Sequence, residues 1–330
     1  MDMSTQNTSA PVKKVRVFDG IPMLIAAVVI VVVLAVLGFK GDNNMRRILV
    51  NVFLYCAMAS MWNLMSGYTG MTSLGQQTFI GVAGYSMAVM TAKFAMSFAV
   101  GLIVGGIIGT ALALVLSVIL FRMRGMYFAI ATWVIAEAIK TFFTSWTFVN
   151  AGGGMSVAGR PDREVIYLLA LALCVTAIAV IYILLKSKIG LGLTAMRDDA
   201  DAASSVGVNI FKSKLLCFVI CGLFCSLGGG IYYLNNVSIY PNSGFAISWT
   251  VSLVFIVIIG GIGTMSGPIV GTIIYIALSE RLAELPAGWP NIILGAIAIL
   301  VILFLPDGIM GTLQKKLNFE ILSQKRFSKE

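Results

Sequence analysis

The 330-residue chain carries 14 carboxylates and 23 lysines and arginines, but no histidine. No imidazole is therefore on hand to ligate a metal or to take a proton near neutral pH. A Gly-x-x-x-x-Gly-Lys-[Ser/Thr] loop that would cradle phosphates is also missing. The residues show no means of hydrolysing a nucleotide, and they imply neither a cofactor nor a catalytic residue. If the chain moves a solute uphill, an ion gradient or a separate ATPase must supply the energy. The five cysteines, Cys56, Cys174, Cys217, Cys221 and Cys225, all lie in apolar runs. The last three recur at i+4, as a metal stripe would, but with no histidine they read as small packing residues on one helix face.

Polar chemistry gathers in three stretches. The first runs from Trp62 to Tyr85, where glycines interrupt an apolar segment that also holds Asn63, Thr72, Ser73, Gln76 and Gln77. Broken backbone at membrane depth is tolerated where it lines a cavity or is buried in protein. The segment therefore reads either as part of a solute pathway or as a turn followed by ordinary interhelical hydrogen bonds. The second is Arg124 to Lys140, with Thr132 and the i, i+3 pair Glu137 and Lys140. An ionisable residue within a span is a functional candidate, although a neutralised pair near the outer helix end is the simpler reading.

The third stretch, Lys186 to Lys214, is the longest polar interruption in the chain. Asp198, Asp199 and Asp201 stand where a short helix would begin and complement the positive end of its dipole. Ala202, Ala203 and Val206 form a small apolar face, and Gly207 can take the left-handed conformation that ends a helix. The spacing predicts a two-turn amphipathic helix on the membrane surface. It either offers small side chains to another protein or rests on lipid headgroups.

These stretches must be positioned by the apolar runs around them. Hydrophobic residues make up 59% of the sequence and charged residues 11%, against about 25% charged in soluble domains. Mean hydropathy is +0.96. The fold class is all-α: a polytopic membrane protein of about ten transmembrane helices, since the runs do not alternate as barrel strands do. The candidate spans are Ile21–Phe39, Ile48–Met65, Leu74–Ala92, Phe98–Phe121, Met126–Trp146, Val165–Leu185, Leu215–Leu234, Ile247–Ile262, Pro268–Leu282 and Ile292–Leu305. The third is broken by glycines and the last three are short, which leaves re-entrant or tilted segments open. The first reads as a signal anchor.

The net charge of +9 sits in loops and tails, as the positive-inside rule requires, and so points to membrane topology and away from nucleic acid. Residues 1–20 then form a cytoplasmic tail, 21–311 the transmembrane domain with its cytoplasmic loop 186–214, and 312–330 a second cytoplasmic tail. Residues 151–159 and 235–245 fall outside, close to Trp146, Tyr240, Trp249 and Trp289 at the outer interface. Arg46 and Arg47 run against the rule, since ten crossings place them outside.

The residues also carry a resemblance. Ala195-Met-Arg197-Asp-Asp199-Ala-Asp201-Ala-Ala203-x-x-x-Gly207-Val-Asn209, with Lys214 beyond, resembles the cytoplasmic coupling loop of ABC-importer permeases. More narrowly, it is similar to the inner-membrane permease subunits of branched-chain amino-acid importers. Gly67-Tyr-Thr-Gly70-Met-Thr-Ser-Leu-Gly75-Gln76 is similar to that family's Gly-Tyr-x-Gly-x-x-Ser-Leu-Gly-His motif, with Gln76 in place of His. Arg124-Gly-Met-Tyr127-Phe-Ala-Ile-Ala-Thr132, Gly260-Gly-Ile-Gly263-Thr-Met-Ser-Gly267-Pro268 and Leu305-Pro306-Asp307-Gly308 resemble further family motifs, in family order. Where many relatives have an acidic residue, this chain has Trp249.

The resemblance implies a permease that is not itself an enzyme. Its partners would be two ATP-binding subunits, a second homologous permease and an extracytoplasmic solute-binding protein. Its place would be the cytoplasmic (inner) membrane of a prokaryote, in contact with membrane lipid, multi-pass with both termini cytoplasmic. Arg197, Asp198, Asp199, Asp201, Ala202, Ala203, Val206 and Gly207 would couple to the ATPase. Asn63, Thr72, Ser73, Gln76, Gln77, Thr132 and Glu137 would line the path of a small-molecule substrate, a branched-chain or related amino acid. The same machine could carry urea, short amides or another small solute. An ion-coupled secondary transporter and a passive channel are the readings of a different class.

Overall fold

The computed structural model describes residues 16–17, 29, 31–36, 38, 42–286, 289–317 and 319–320. Most of the expected first span and of both tails lies outside the described residues. Long apolar runs can satisfy their backbone groups only within a helix when no water is at hand, and helices dominate accordingly. They are α1 (Asn43–Thr69), α2 (Gln76–Ala88), α3 (Phe98–Leu120), α4 (Met126–Ser145), α5 (Arg163–Lys186), α6 (Lys188–Asp198), α7 (Ala200–Ser205), α8 (Ile210–Asn236), α9 (Ser248–Gly260), α10 (Gly267–Leu282), α11 (Trp289–Phe304) and α12 (Gly308–Leu317). A π-helical turn, Val89–Lys93, extends α2, and a single helical turn, Pro241–Gly244, precedes α9.

Seven segments among the described residues are long and apolar enough to cross a membrane: α1, α3, α4, α5, α8, Pro241–Gly260 and Ile292–Gln314. The remaining expected spans take shorter forms. The third begins only at Gln76, and α10 is a 16-residue helix with Pro268 in its first turn, where a missing N–H costs nothing.

The core forms around α1 and α8. From Ala57 to Thr69 every residue of α1 is buried, and the helix packs against α5, α8, α9 and α10. On its other side α8 meets α2 and α3. The stripe Gly101, Gly105 and Gly109 of α3 is buried towards α2 and α8, where small residues let helices come close. The cysteines of α8 are buried, as packing residues should be.

The helices alternate in direction, so loops gather at two ends. At one end Met155–Ser156 pairs antiparallel with Ser238–Ile239, and Arg160 donates to Asn235. Arg46 and Arg47 lie at this end and are matched by carboxylates, with Glu164 at 3.2 Å and Glu280 at 2.9 Å. These are the two arginines that the expected ten crossings place outside, and each has a carboxylate to offset its charge. At the other end lie the C-terminus of α1, the turn 121–125, α6 and α7, and the turns 261–266 and 305–307. The loops expected outside thus share one end, and those expected inside share the other.

Candidate functional site

The chain breaks between α1 and α2, inside the bundle. Gly70 ends α1 with φ +72°, a conformation that glycine takes without steric cost. Residues 70–75 then run without helix to Gln76. Depth follows from the neighbours. Leu74 N–H donates to Thr132 Oγ1 at 3.0 Å, and Thr132 lies roughly 9 Å along α4 from its first residue. Trp62 Nε1–H donates to Ser73 O at 2.9 Å, about 10 Å back from the end of α1. So α2 starts within the membrane-spanning zone.

A helix beginning there has N–H groups with no intrahelical partner, and a threonine hydroxyl and a turn carbonyl meet two of them. Gln76 N–H donates to Thr250 Oγ1 at 3.1 Å, and Thr78 N–H to Gly75 O at 3.1 Å. Gln77 Nε2 donates to Leu74 O at 3.1 Å, while its Oε1 accepts from the Thr250 hydroxyl. Gln76 Oε1 accepts from Cys221 at 3.7 Å, and Gln76 Nε2 has no partner among the described residues. A methyl group at Gly75 would run into the Thr132 carbonyl, so only glycine allows this approach to α4.

Asn63 clamps a second break. Its Nδ2 donates to Thr264 O at 2.9 Å, and its Oδ1 accepts from Gly263 N–H at 2.8 Å. Through these bonds α1 holds the turn between α9 and α10. One helical turn along, Gly67 O accepts from Arg197 Nη1 at 2.9 Å. The loop helices are therefore tied to the same stretch of α1 that leads into the Gly70–Gly75 break.

The loop forms two helices, one more than the periodicity predicts. Arg197 and Asp198 close α6, and Asp199 caps α7, its Oδ1 accepting from Asp201 N–H at 2.9 Å and Ala202 N–H at 3.0 Å. Competition for those two amides is what stops α6, because a capping aspartate takes extended backbone. Gly207 follows with φ +91°. The three residues of the expected apolar face divide: Ala203 is buried against its own chain, whereas Ala202 and Val206 are exposed, Val206 at 79%.

The expected pathway residues divide as well. Asn63, Ser73, Gln76, Gln77 and Thr132 are buried within the chain, while Thr72 and Glu137 are exposed. Glu137 and Lys140 pair as the i, i+3 spacing suggests, at 2.7 Å. Glu137 lies roughly 17 Å along α4 from its first residue. The pair is thus nearer the middle of the helix than its outer end, and Thr141 and Thr144 are exposed beside it.

A family model described as the permease component of branched-chain amino acid transport systems matches residues 44–304. The chain belongs to this family. It is a membrane-spanning permease component of ABC importers and not itself an enzyme. The permease is 22% identical to LivM of Escherichia coli (strain K12), a high-affinity branched-chain amino acid permease protein, over 90% of this chain and 76% of the relative. It is 27% identical to LivH of Salmonella typhimurium over 53% of this chain and 55% of that protein. It is also 27% identical to LsrC of Photorhabdus luminescens, an autoinducer 2 import permease, over 40% of this chain and 42% of the relative. No solved structure matches it.

Two groups in the permease escaped the sequence reading. Thr250 joins α9 to the start of α2, but it stands in an apolar run with no partner near it in sequence. Lys214 belongs to the cavity beneath α7, and only its position past the loop hinted at that.

Proposed function

We propose that this permease carries branched-chain or related amino acids across the inner membrane of a prokaryote. It would work with a second homologous permease, two ATP-binding subunits and an extracytoplasmic solute-binding protein. The end that holds α6 and α7 is the cytoplasmic one in this reading. Its basic residues, among them Arg122, Arg124, Lys186, Lys188, Lys212 and Lys214, support that side. Both termini then lie there as well, in keeping with the parallel pairing of Arg16–Val17 with Phe319–Glu320.

The observation that carries the reading is the tether from the loop helices to the broken span, made by Arg197 at the end of α6. An ATPase gripping α7 at Ala202, Ser205 and Val206 pulls on a loop that Arg197 bonds to Gly67. That carbonyl lies one turn from Asn63 and directly before the Gly70–Gly75 break. Force thus reaches a stretch, Gly70–Gly75, where no continuous helix resists it. In this mechanism Thr72 and Glu137 face the solute, on a surface shared with the second permease. Asn63, Ser73, Gln77 and Thr132, with the backbone N–H of Gln76, hold the break and act through its position. Asp198, Asp199 and Asp201 supply the charge of the docking surface, and Ala203 seats α7 on its own chain.

The test is a pair of outward substitutions, Ala202→Arg and Val206→Arg. Each places a long charged side chain on the exposed face of α7 without disturbing a buried contact. Co-purification of the ATPase and solute-stimulated hydrolysis should fall, while the permease still inserts. Wild-type uptake with normal co-purification in both variants would remove α7 as the docking surface.

A further inference from the structure

A cavity of about 320 Å³ lies between α7 and the ends of α4 and α8. Its walls divide by chemistry. Arg124, Arg197 and Lys214 bring three cationic side chains, while Phe121, Phe128 and Met196 supply an apolar floor. Asp201 is the sole carboxylate in the lining, and it stands 4.0 Å from Arg124 with both side chains largely exposed. A pair this loose and wet holds little energy. Arg197 is occupied by Gly67 O and Asp198. Lys214 is half-buried and makes no hydrogen bond or ion pair among the described residues. A cationic site with one unmatched ammonium, over aromatic rings and at the end of the spans, suits an anion with an apolar body.

We propose that this cavity binds the phosphate of an anionic phospholipid, between Arg124 and Lys214, with the glycerol and first acyl carbons over Phe121 and Phe128. Phosphate accepts from both cations through charge-assisted bonds, and a phosphodiester stays ionised at any physiological pH. A bound headgroup would join the loop helices to the ends of α4 and α8. It would thereby stiffen the segment on which the proposed ATPase pulls. The site rests on the reading of this end as one that meets lipid headgroups. Binding is measured on the permease alone, so its failure is distinct from a failure of ATPase docking.

The experiment is calorimetric titration of the full chain in phosphatidylcholine nanodiscs with dihexanoyl phosphatidylglycerol, dihexanoyl phosphatidylcholine and inorganic phosphate. The phosphatidylglycerol should bind saturably. Lys214→Gln and Arg124→Gln should each weaken it about tenfold, as loss of a charged hydrogen bond does, while Lys214→Arg keeps it. Lys212→Gln, which alters an exposed neighbour outside the cavity, should leave it unchanged. Equal saturable binding of inorganic phosphate, lost in the same two variants, would keep the anion site and assign it to a free anion. Absence of saturable binding would overturn the site. So would equal loss in Lys212→Gln, since that marks diffuse surface charge.

Discussion

Helices α3 and α4 are neighbours in the chain and both span the bundle, yet they show opposite surfaces. The outward face of α3 is Ile103, Ile107, Val115, Val118 and Ile119, and no residue of the helix is charged. The outward face of α4 begins in the same way, with Ile130, Trp133 and Val134, then places Glu137 just past its middle and Lys140 and Thr141 about one turn further on. Lipid tails suit the first and not the second. A charge at mid-bilayer is stable only against protein or water. With the second permease proposed above, we read the face of α3 as the lipid-facing one in the assembled importer and that of α4 as the covered one, although exposure alone ranks them alike.

The largest effect should come from placing one charge on each face at similar depth. Ile107→Asp exposes a carboxylate to hydrocarbon, at a cost of about 3 kcal/mol. Membrane-integrated protein should fall sharply. Val134→Asp sits on the face that already tolerates Glu137, so the chain should insert near normally and lose transport instead. Equal loss of insertion in both variants would break the contrast between the helices.

A middle-sized effect is expected from Glu137→Gln, which leaves Lys140 without its 2.7 Å partner. Association with the second permease and uptake should both drop, with little change in the yield of single chains. Unchanged uptake and association would move this face to lipid and the pair to a decorative role.

The smallest effect belongs to the interior. Gln76 is buried, with one weak bond from Cys221 and an unpartnered amide nitrogen. Gln76→Leu removes that bond and also the unsatisfied group, so stability should shift by no more than about 0.6 kcal/mol. Uptake should stay within about twofold of wild type, an energy difference smaller than one typical interhelical bond. A tenfold fall in uptake with normal assembly would place Gln76 on the solute's route.

The sequence made the class of fold plain, because hydrophobic runs near twenty residues admit few alternatives. The alternation of loops was legible too, down to the shared end of residues 151–159 and 235–245. The start of α2 was not. Leu74–Ala92 is apolar enough to suggest a span beginning at Leu74. The true start at Gln76 depends on Thr132 and Thr250, which are far away in the chain. The division of Ala202, Ala203 and Val206 was hidden for another reason. A helix as short as Ala200–Ser205 does not settle from spacing alone which side turns inward. The midpoint location of Glu137 needed the helix ends, which motifs do not fix.

The central claim is that α4 faces the second permease while α3 faces lipid. Its most direct test is fluorescence quenching by brominated lipid from single labelled cysteines at Ile107 and Val134, with the five native cysteines replaced. Both labels should be quenched in the isolated chain. In the assembled importer the label at 107 should stay quenched and the label at 134 should be protected. Equal quenching of both labels in the assembled importer would contradict the claim.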